Sequence, residues 1–487
     1  MMPALRPDKG VVEFLSPVRL LAPAIVAAAL WSGSSTAYAE PRRPNVVMII
    51  ADDLGVGDVR YLQPGAFRTP NLDKLAREST VFSNAYVTAA VCSPSRAGLH
   101  TGRYQARFGH DFNPGNAKDL EEMSLPPGVE TVAGRLKRAG YFTGLVGKWH
   151  LEGRRAGASP LERGFDQYFG FASGGSYILN PREGDIVLRT EGEPAERTRS
   201  QGFSRMGLPV EIDGYKTDVL TTEALGFLAK AATEERPFFM VLAHHAPHVP
   251  LEATKAYLDR VKHIQDPQQR VYAAMVTALD DSVGAVLKDL DRRGLRDDTL
   301  VLFLSDNGCP PYIAGACSNA PFSGHKRDLG EGGIRSPFLI SWPGSQRGPR
   351  VYKQPVISLD LAATVLGAAG LSDQLSELDG VDLARYVNAA SQTPHQALFW
   401  RAGTDLAVRR QNWKLIQVDL PEGGRRSFLF DLKRDPREQE DLSAAQPALV
   451  RELEAEWRSW NARNIPSRMQ GRVTRTRIAG VEVQARY

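Results

Sequence analysis

The chain has 487 residues, of which 42% are hydrophobic and 24% charged, an ordinary globular composition on a length that exceeds what one core usually supports. One large domain with a smaller one beside it is therefore expected. The formal net charge of +4, with no basic block before the tail after Pro466, argues against a nucleic-acid partner, and three cysteines are too few for a disulfide framework.

The first segment reads as an export leader. Arg19 precedes an apolar run from Leu20 to Trp31, and Ala37-Tyr38-Ala39 fits a small-x-small cleavage site. Residues 1–39 are predicted to be a signal peptide, which places the mature protein in the periplasm or outside the cell. The alternative is a membrane anchor, but the run is short for a bilayer, so no stable membrane insertion is expected.

Residues 46–50 form an apolar run that reads as a buried parallel strand, and it ends in Asp52-Asp53. Thr69-Pro70 then opens a helix through Leu72, Leu75 and Ala76, with Thr69 as its N-cap. Pro94 can begin a helix and Gly102 can end it, which sets Cys92 just before a helix N-terminus, where a negative nucleophile is favoured. Taken alone, Cys92 is equally a buried or redox-sensitive thiol. A helix over 129–139 leads to a second strand, 141–146, which runs into Lys148 and His150. A polar insert from Ser173 to Lys216 follows, carrying Arg182, Arg189, Arg197 and Arg199.

The third strand, 238–242, runs into His244, His245 and His248. A long helix over 268–293 contains Asp280-Asp281, a doublet expected on a solvated helix face. The fourth strand, 300–304, runs into Asp306-Asn307. Cys309 and Cys317 share the next loop, either as a pair or as two free thiols. This alternation predicts an α/β fold: a large mixed, mostly parallel sheet flanked by helices on both faces. After residue 390 the pattern changes. Short strands at 397–400, 406–409, 414–418 and 427–430, a turn at Glu422-Gly423-Gly424 and a helix over 447–462 predict a C-terminal α+β domain spanning 391–487, beside a main domain spanning 40–390. The basic tail, with Arg468, Arg472, Arg475, Arg477 and Arg486, reads as solvated surface.

Sites in open α/β sheets form at the carboxyl ends of strands, so four reactive clusters at four strand ends point to one shared site. Adjacent carboxylates at a strand end repel unless a cation neutralises them. Asp52, Asp53, Asp306 and Asn307 make an all-oxygen set suited to a hard cation, Ca²⁺ or Mg²⁺; capping of the following turns is the alternative.

The stretch CSPSRAGLHTGR, from Cys92 to Arg103, resembles the signature of the formylglycine-dependent sulfatases. PNVVMIIADD, TPNLDKLA, GKWHL, PFFMVLAHHAPHVP, SDNG, GHKRDLGEGGIRSPF and LFDLKRDPREQEDL follow that family's order over nearly the whole mature chain. The resemblance leans toward the arylsulfatase and N-acetylgalactosamine-6-sulfatase branch of the alkaline-phosphatase-like superfamily. It implies that a formylglycine-generating enzyme oxidises Cys92, and that sulfate esters are hydrolysed through a sulfoenzyme intermediate. It also implies one Ca²⁺ held by Asp52, Asp53, Asp306, Asn307 and an oxygen of modified Cys92. Arg96 would support the formylglycine, Lys148 and Lys326 would bind sulfate oxygens, His150 would hold a hydroxyl of the hydrated aldehyde, and His248 would protonate the leaving oxygen. His244 and His245 match no catalytic position of the family.

The sequence departs from the signature at Gly98, His100 and Glu152, and a serine that touches sulfate has only Ser173 and Ser176 as candidates. The expected substrate is a sulfated small molecule or glycan, with exolytic action on a sulfated sugar. Aryl sulfate hydrolysis, phosphodiester or phosphonate hydrolysis by the same superfamily, and a non-catalytic glycan-binding protein are the competing readings.

Overall fold

The fold is built on a ten-stranded mixed sheet whose middle is parallel. The computed structural model describes residues 43–114, 117–153, 157–171, 182–188, 202–344, 348–388 and 392–487. The predicted leader with its cleavage site, Ser173, Ser176, Arg189, Arg197 and Arg199 lie outside the described residues. Across the middle of the sheet the order is Thr299–Ser305, Asn45–Ala51, Phe238–Ala243, Phe142–Lys148 and Gln167–Phe171, all parallel. The first four are the apolar runs read from sequence. Each is buried along its length because helices cover both faces.

Alternation along Asn45–Ala51 divides the core. Val47 and Ile49 face a cluster with Leu72, Leu220, Val271, Leu279 and Val283, from the helices Pro70–Arg77, Lys216–Ala231 and Pro267–Arg292. Val46, Met48 and Ile50 face Ala97, Leu136, Leu361 and Val365, from Cys92–Thr101, Val132–Arg138 and Leu359–Ala368.

Short strands missed by the sequence reading complete the sheet on both sides. Phe338–Ser341, Thr80–Phe82 and Arg350–Tyr352 flank Thr299–Ser305, and Phe203–Arg205 and Leu208–Pro209 lie beyond Gln167–Phe171. They are too brief to show a period.

A separate antiparallel sheet of six strands follows Ala397. It contains Ala397–Ala402, Asp405–Arg410, Trp413–Asp419 and Arg425–Asp431, covered by the helix Pro447–Asn461. The basic tail is more ordered than solvated surface implies. Val473–Ile478 and Val481–Arg486 form a hairpin in this sheet, and Arg486 pairs with Asp405 and Asp419. Residues Arg43–Tyr487 form one compact unit. Among the described residues, no helix is long and apolar enough to cross a membrane.

The expectation for Asp280 requires correction. Asp281 does lie at the surface, paired with Arg260. Asp280 instead is buried and accepts from the backbone N–H groups of Asn71 and Leu72 at 3.1 and 2.8 Å. It thus caps the helix Pro70–Arg77 from another element, where Thr69 makes no side-chain cap. Asp280→Ala removes the acceptor of the buried Leu72 N–H and of the part-buried Asn71 N–H and side-chain amide, and is expected to lower stability by roughly 2 kcal/mol. Chemical denaturation measures this, with turnover per folded molecule unchanged because Asp280 lies outside the site described next.

Candidate active site

The parallel register brings four strand ends to one edge. Ala51 pairs with Ser305, and Ala243 pairs with both Ile50 and Gly147, so the residues that follow these positions converge. Gly147 permits this approach, since its φ is +109° and a Cβ there would lie 1.9 Å from the Ala243 carbonyl oxygen. Asp52, Asp53, Lys148, His150, His248, Asp306 and Asn307 arrive by this route. Cys92 and Arg96 come from the first turns of the helix Cys92–Thr101, which ends at Gly102 in the left-handed conformation. Lys326 comes from the loop after Thr299–Ser305.

The site is a lattice of buried opposite charges. Lys148 Nζ lies 2.5 Å from Asp52 Oδ2, and Lys326 Nζ lies 2.7 Å from Asp53 Oδ1. Arg96 donates through Nε to Asp306 Oδ2 at 2.8 Å and through a terminal nitrogen to the Lys148 carbonyl at 3.0 Å. Three carboxylates thus meet three cations, which is how such groups tolerate burial. Burial alone would raise the Asp52 and Asp53 carboxyls, yet Lys148 beside the first, and Lys326 and His248 beside the second, hold both below the usual range. Burial would likewise weaken the Lys326 ammonium, but Asp53 keeps it well above its ordinary value. Backbone strain collects here too: Asp53 and His150 have φ of +67° and +59°. Conformations of this kind cost about 1–3 kcal/mol and persist only where the surroundings enforce them.

Cys92 is buried, with Sγ donating to Asp52 Oδ1 at 3.5 Å. Burial, then the Asp306 carboxylate, pushes its pKa far above the ordinary thiol value. A buried thiol with its pKa raised is a poor nucleophile. It is the free cysteine of the chain, because Cys309 and Cys317 form a disulfide.

The donors fit a hard cation. Asn307 gives its amide to Asp53 Oδ1 at 2.6 Å, while its own Oδ1 is buried with no hydrogen-bond partner. An orphaned buried acceptor beside carboxylates is what a cation satisfies. The tightest group, Asp52, Asp53, Cys92 and His248, has ligand atoms all within 4.8 Å of one another, and differs from the set expected from sequence. Asp306 stands at its edge, accepting from the Asp53 backbone N–H at 3.3 Å. The oxygens of Asp306 and Asn307 suit calcium better than the His248 imidazole does.

His248 has a defined orientation. Its Nδ1 lies 2.5 Å from the Val249 carbonyl, which can only accept, so Nδ1 carries the hydrogen and Nε2 faces Asp53 at 3.5 Å. Burial lowers the pKa of His248, against the opposing pull of Asp53. His150 is also lowered, by burial and then by Lys148, and its Nδ1 is buried without a partner.

Sequence reasoning missed three neighbours. Tyr312 donates to Asp53 Oδ2 at 3.4 Å from the loop bracketed by the two cysteines. Ser93 links the His150 carbonyl at 2.9 Å to His110 at 2.7 Å. Lys216 reaches His245 Nδ1 at 3.1 Å, and the His245 ring lies 5.2 Å from that of His248. An aromatic between cysteines directly after Asp306-Asn307 was the available signal for Tyr312. His244 bonds Ser282 at 2.9 Å, and His100 packs on Trp149.

The family model described as Sulfatase matches residues 44–371. The chain belongs to the sulfatase family. This sulfatase is therefore a sulfuric ester hydrolase. It is 32% identical to human N-acetylgalactosamine-6-sulfatase over 447 residues, covering 83% of this chain and 82% of that enzyme. It is 29% identical to arylsulfatase J of Mus musculus over 476 residues, covering 88% and 77%. Among solved structures, Ps i-CgsB in complex with k-i-k-neocarrahexaose superposes with a TM-score of 0.77 at 31% identity, covering 88% of this chain and 95% of that one.

The buried, protonated Cys92 thiol has a direct consequence. In sulfatase still carrying cysteine at position 92, iodoacetamide at pH 8 is expected to leave Cys92 unlabelled in the native state and to label it on unfolding. Peptide mass mapping reads the difference, and rapid native labelling contradicts the described environment.

Proposed function

We propose that this sulfatase removes a terminal sulfate from a sugar exolytically, using a formylglycine formed from Cys92 and one Ca²⁺. The observation that carries the reading is the setting of position 92. Its side chain is buried and touches the Asp52 carboxylate within a ring of cations, where burial and Asp306 push the thiol's pKa up. A residue so placed needs conversion to become a nucleophile.

Formylglycine, once hydrated, supplies one hydroxyl for attack on sulfur and a second for release of sulfate. Calcium would be held by Asp52, Asp53, Asp306, Asn307 and the modified residue 92, and supplies charge to the nucleophilic oxygen and to the sulfate. The chain's own groups do the rest. Lys148 and Lys326 exchange part of their contact with Asp52 and Asp53 for sulfate oxygens, and spread charge over them as cation clamps do in phosphoryl transfer. Arg96, tied to Asp306 and the Lys148 carbonyl, keeps the first turn of its helix and the strand end in register. His150 offers its unpartnered Nδ1 to a hydroxyl at position 92. His248 would deliver a proton to the leaving oxygen through Nε2 only as the imidazolium, which the Asp53 carboxylate at 3.5 Å favours, because Nδ1 is engaged by Val249.

Sugar specificity rests on the relatives. One is an N-acetylgalactosamine-6-sulfatase, and a structural neighbour is in complex with a neocarrahexaose. Residues 1–39 are proposed as a leader that exports the enzyme after maturation by a formylglycine-generating enzyme; N-terminal sequencing of exported protein should begin at Glu40.

Peptide mass mapping of active enzyme should find formylglycine at position 92, and Cys92→Ala should abolish turnover in a folded protein. Asp306→Ala should lose both bound calcium and activity. Lys326→Ala should reduce kcat about 10²–10³-fold. Side-by-side assay of a sulfated sugar, an aryl sulfate and a phosphodiester decides the substrate class. Full activity with an unmodified thiol, or a preference for the phosphodiester, overturns the reading.

A further inference from the structure

Arg327 follows Lys326 directly, yet it takes no part in the charge lattice. Its φ is +87°, a left-handed conformation that non-glycine residues rarely adopt. The backbone is pinned on both sides: Lys326 N–H donates to the Cys309 carbonyl at 3.0 Å, and Arg327 N–H donates to the Ala90 carbonyl at 2.8 Å. This geometry sends consecutive side chains to different places. Lys326 enters the site, while the Arg327 guanidinium packs on two rings, 4.8 Å from the Tyr312 centroid and 4.3 Å from that of Tyr487.

Tyr312 places that guanidinium at the rim of the site, since its hydroxyl meets Asp53. Arg327 and Asp53 thus contact the same tyrosine, one at its ring and the other at its hydroxyl. Among the described residues, the Arg327 guanidinium makes no hydrogen bond and no ion pair. Other buried arginines near the site are tied down: Arg96 by Asp306, and Arg335 by Glu331. A guanidinium held against rings without a hydrogen bond keeps its N–H donors available, and their fork geometry matches a carboxylate or a sulfate. A half-buried cation beside Lys326 with no carboxylate of its own can receive an anion.

We propose that Arg327 is a specificity-determining residue, whose guanidinium binds a second anionic substituent, a sulfate or carboxylate, on the sugar that carries the scissile sulfate or on its neighbour. This rests on the sulfated-sugar reading above. The second anion is distinct from the scissile group, because Arg327 lies over the Tyr312 ring whereas Asp53 meets the Tyr312 hydroxyl and Lys326.

The test compares wild type, Arg327→Gln and Arg327→Lys, each calcium-loaded and carrying formylglycine. The probes are singly sulfated hexosamine and galactose units, the same units with a second sulfate, uronate-linked versions and an aryl sulfate. The expected result is a wild-type preference for substrates with a second anion, which Arg327→Gln reduces at least about tenfold, measured as the ratio of kcat/KM values and carried by KM. Arg327→Lys restores part of the ratio, since it keeps the charge but loses the fork. The disulfated and uronate arms distinguish sulfate from carboxylate. A ratio that stays constant in Arg327→Gln overturns the proposal, whether the absolute rates fall or hold. Wild type that cleaves aryl sulfate but no sulfated sugar overturns the sugar reading and this proposal together.

Discussion

Three carboxylates and three cations buried at one edge of a parallel sheet set the terms for the rest of this structure. None of Asp52, Asp53, Asp306, Arg96, Lys148 and Lys326 is more than slightly exposed. Removing charge from water costs several kcal/mol per ion, so each group must be met by an opposite one in fixed geometry. The strands provide that fixity. They are apolar along their length, covered by helices on both faces, and locked in register up to the residue before the charges begin. Charge pairing of this kind is preorganised, and preorganised charge is what stabilises a developing anion without reorganisation.

The second sheet acts on the same region from outside. Glu331, on the short helix Glu331–Ile334 after the Lys326 loop, is fully buried and lies 2.9 Å from Lys414 of the C-terminal sheet. Lys414 also meets Glu438 at 2.8 Å, and Glu438 accepts from the Glu331 backbone N–H at 2.6 Å. Arg335 and Tyr86 complete the network, each 2.6 Å from Glu331 Oε2. Burial pushes the Glu438 carboxyl up to about 7 despite Lys414, while Glu331, also buried, is held low by Lys414 and Arg335. This network gives the Lys326 segment a rigid support, and it explains why a reactive loop is braced by residues about a hundred positions further along the chain.

Arg327 shows how the same segment divides its labour. Lys326 faces inward to Asp53. Arg327 faces the rim, on aromatic rings supplied by the disulfide-bracketed loop and by the C-terminal hairpin segment. Two adjacent cations are thus sent to different surroundings by one peptide unit, whose left-handed backbone makes the divergence possible.

The elements legible in the sequence share one property: the local pattern was long enough to carry them. Four apolar runs gave four central strands, the 3.6-residue spacing gave Pro267–Arg292, and Gly102 ended Cys92–Thr101, although that helix begins at Cys92 itself, two residues before the Pro94 expected to open it. The signature around Cys92 and the ordered motifs carried the family, because such chemistry needs particular residues at particular spacings. Strands of two to four residues could not be read, because so few positions show no period. Asp280 was misread for another reason. A doublet on a helix looks solvated until a second helix end arrives against it, and only the packing of Pro70–Arg77 on Pro267–Arg292 decides that. The sequence by itself determined which residue types were available at each strand end. The tertiary structure decided which charge neutralises which, and which guanidinium remains without a partner among the described residues, because those pairings join positions up to 273 residues apart that meet only when the parallel strands align.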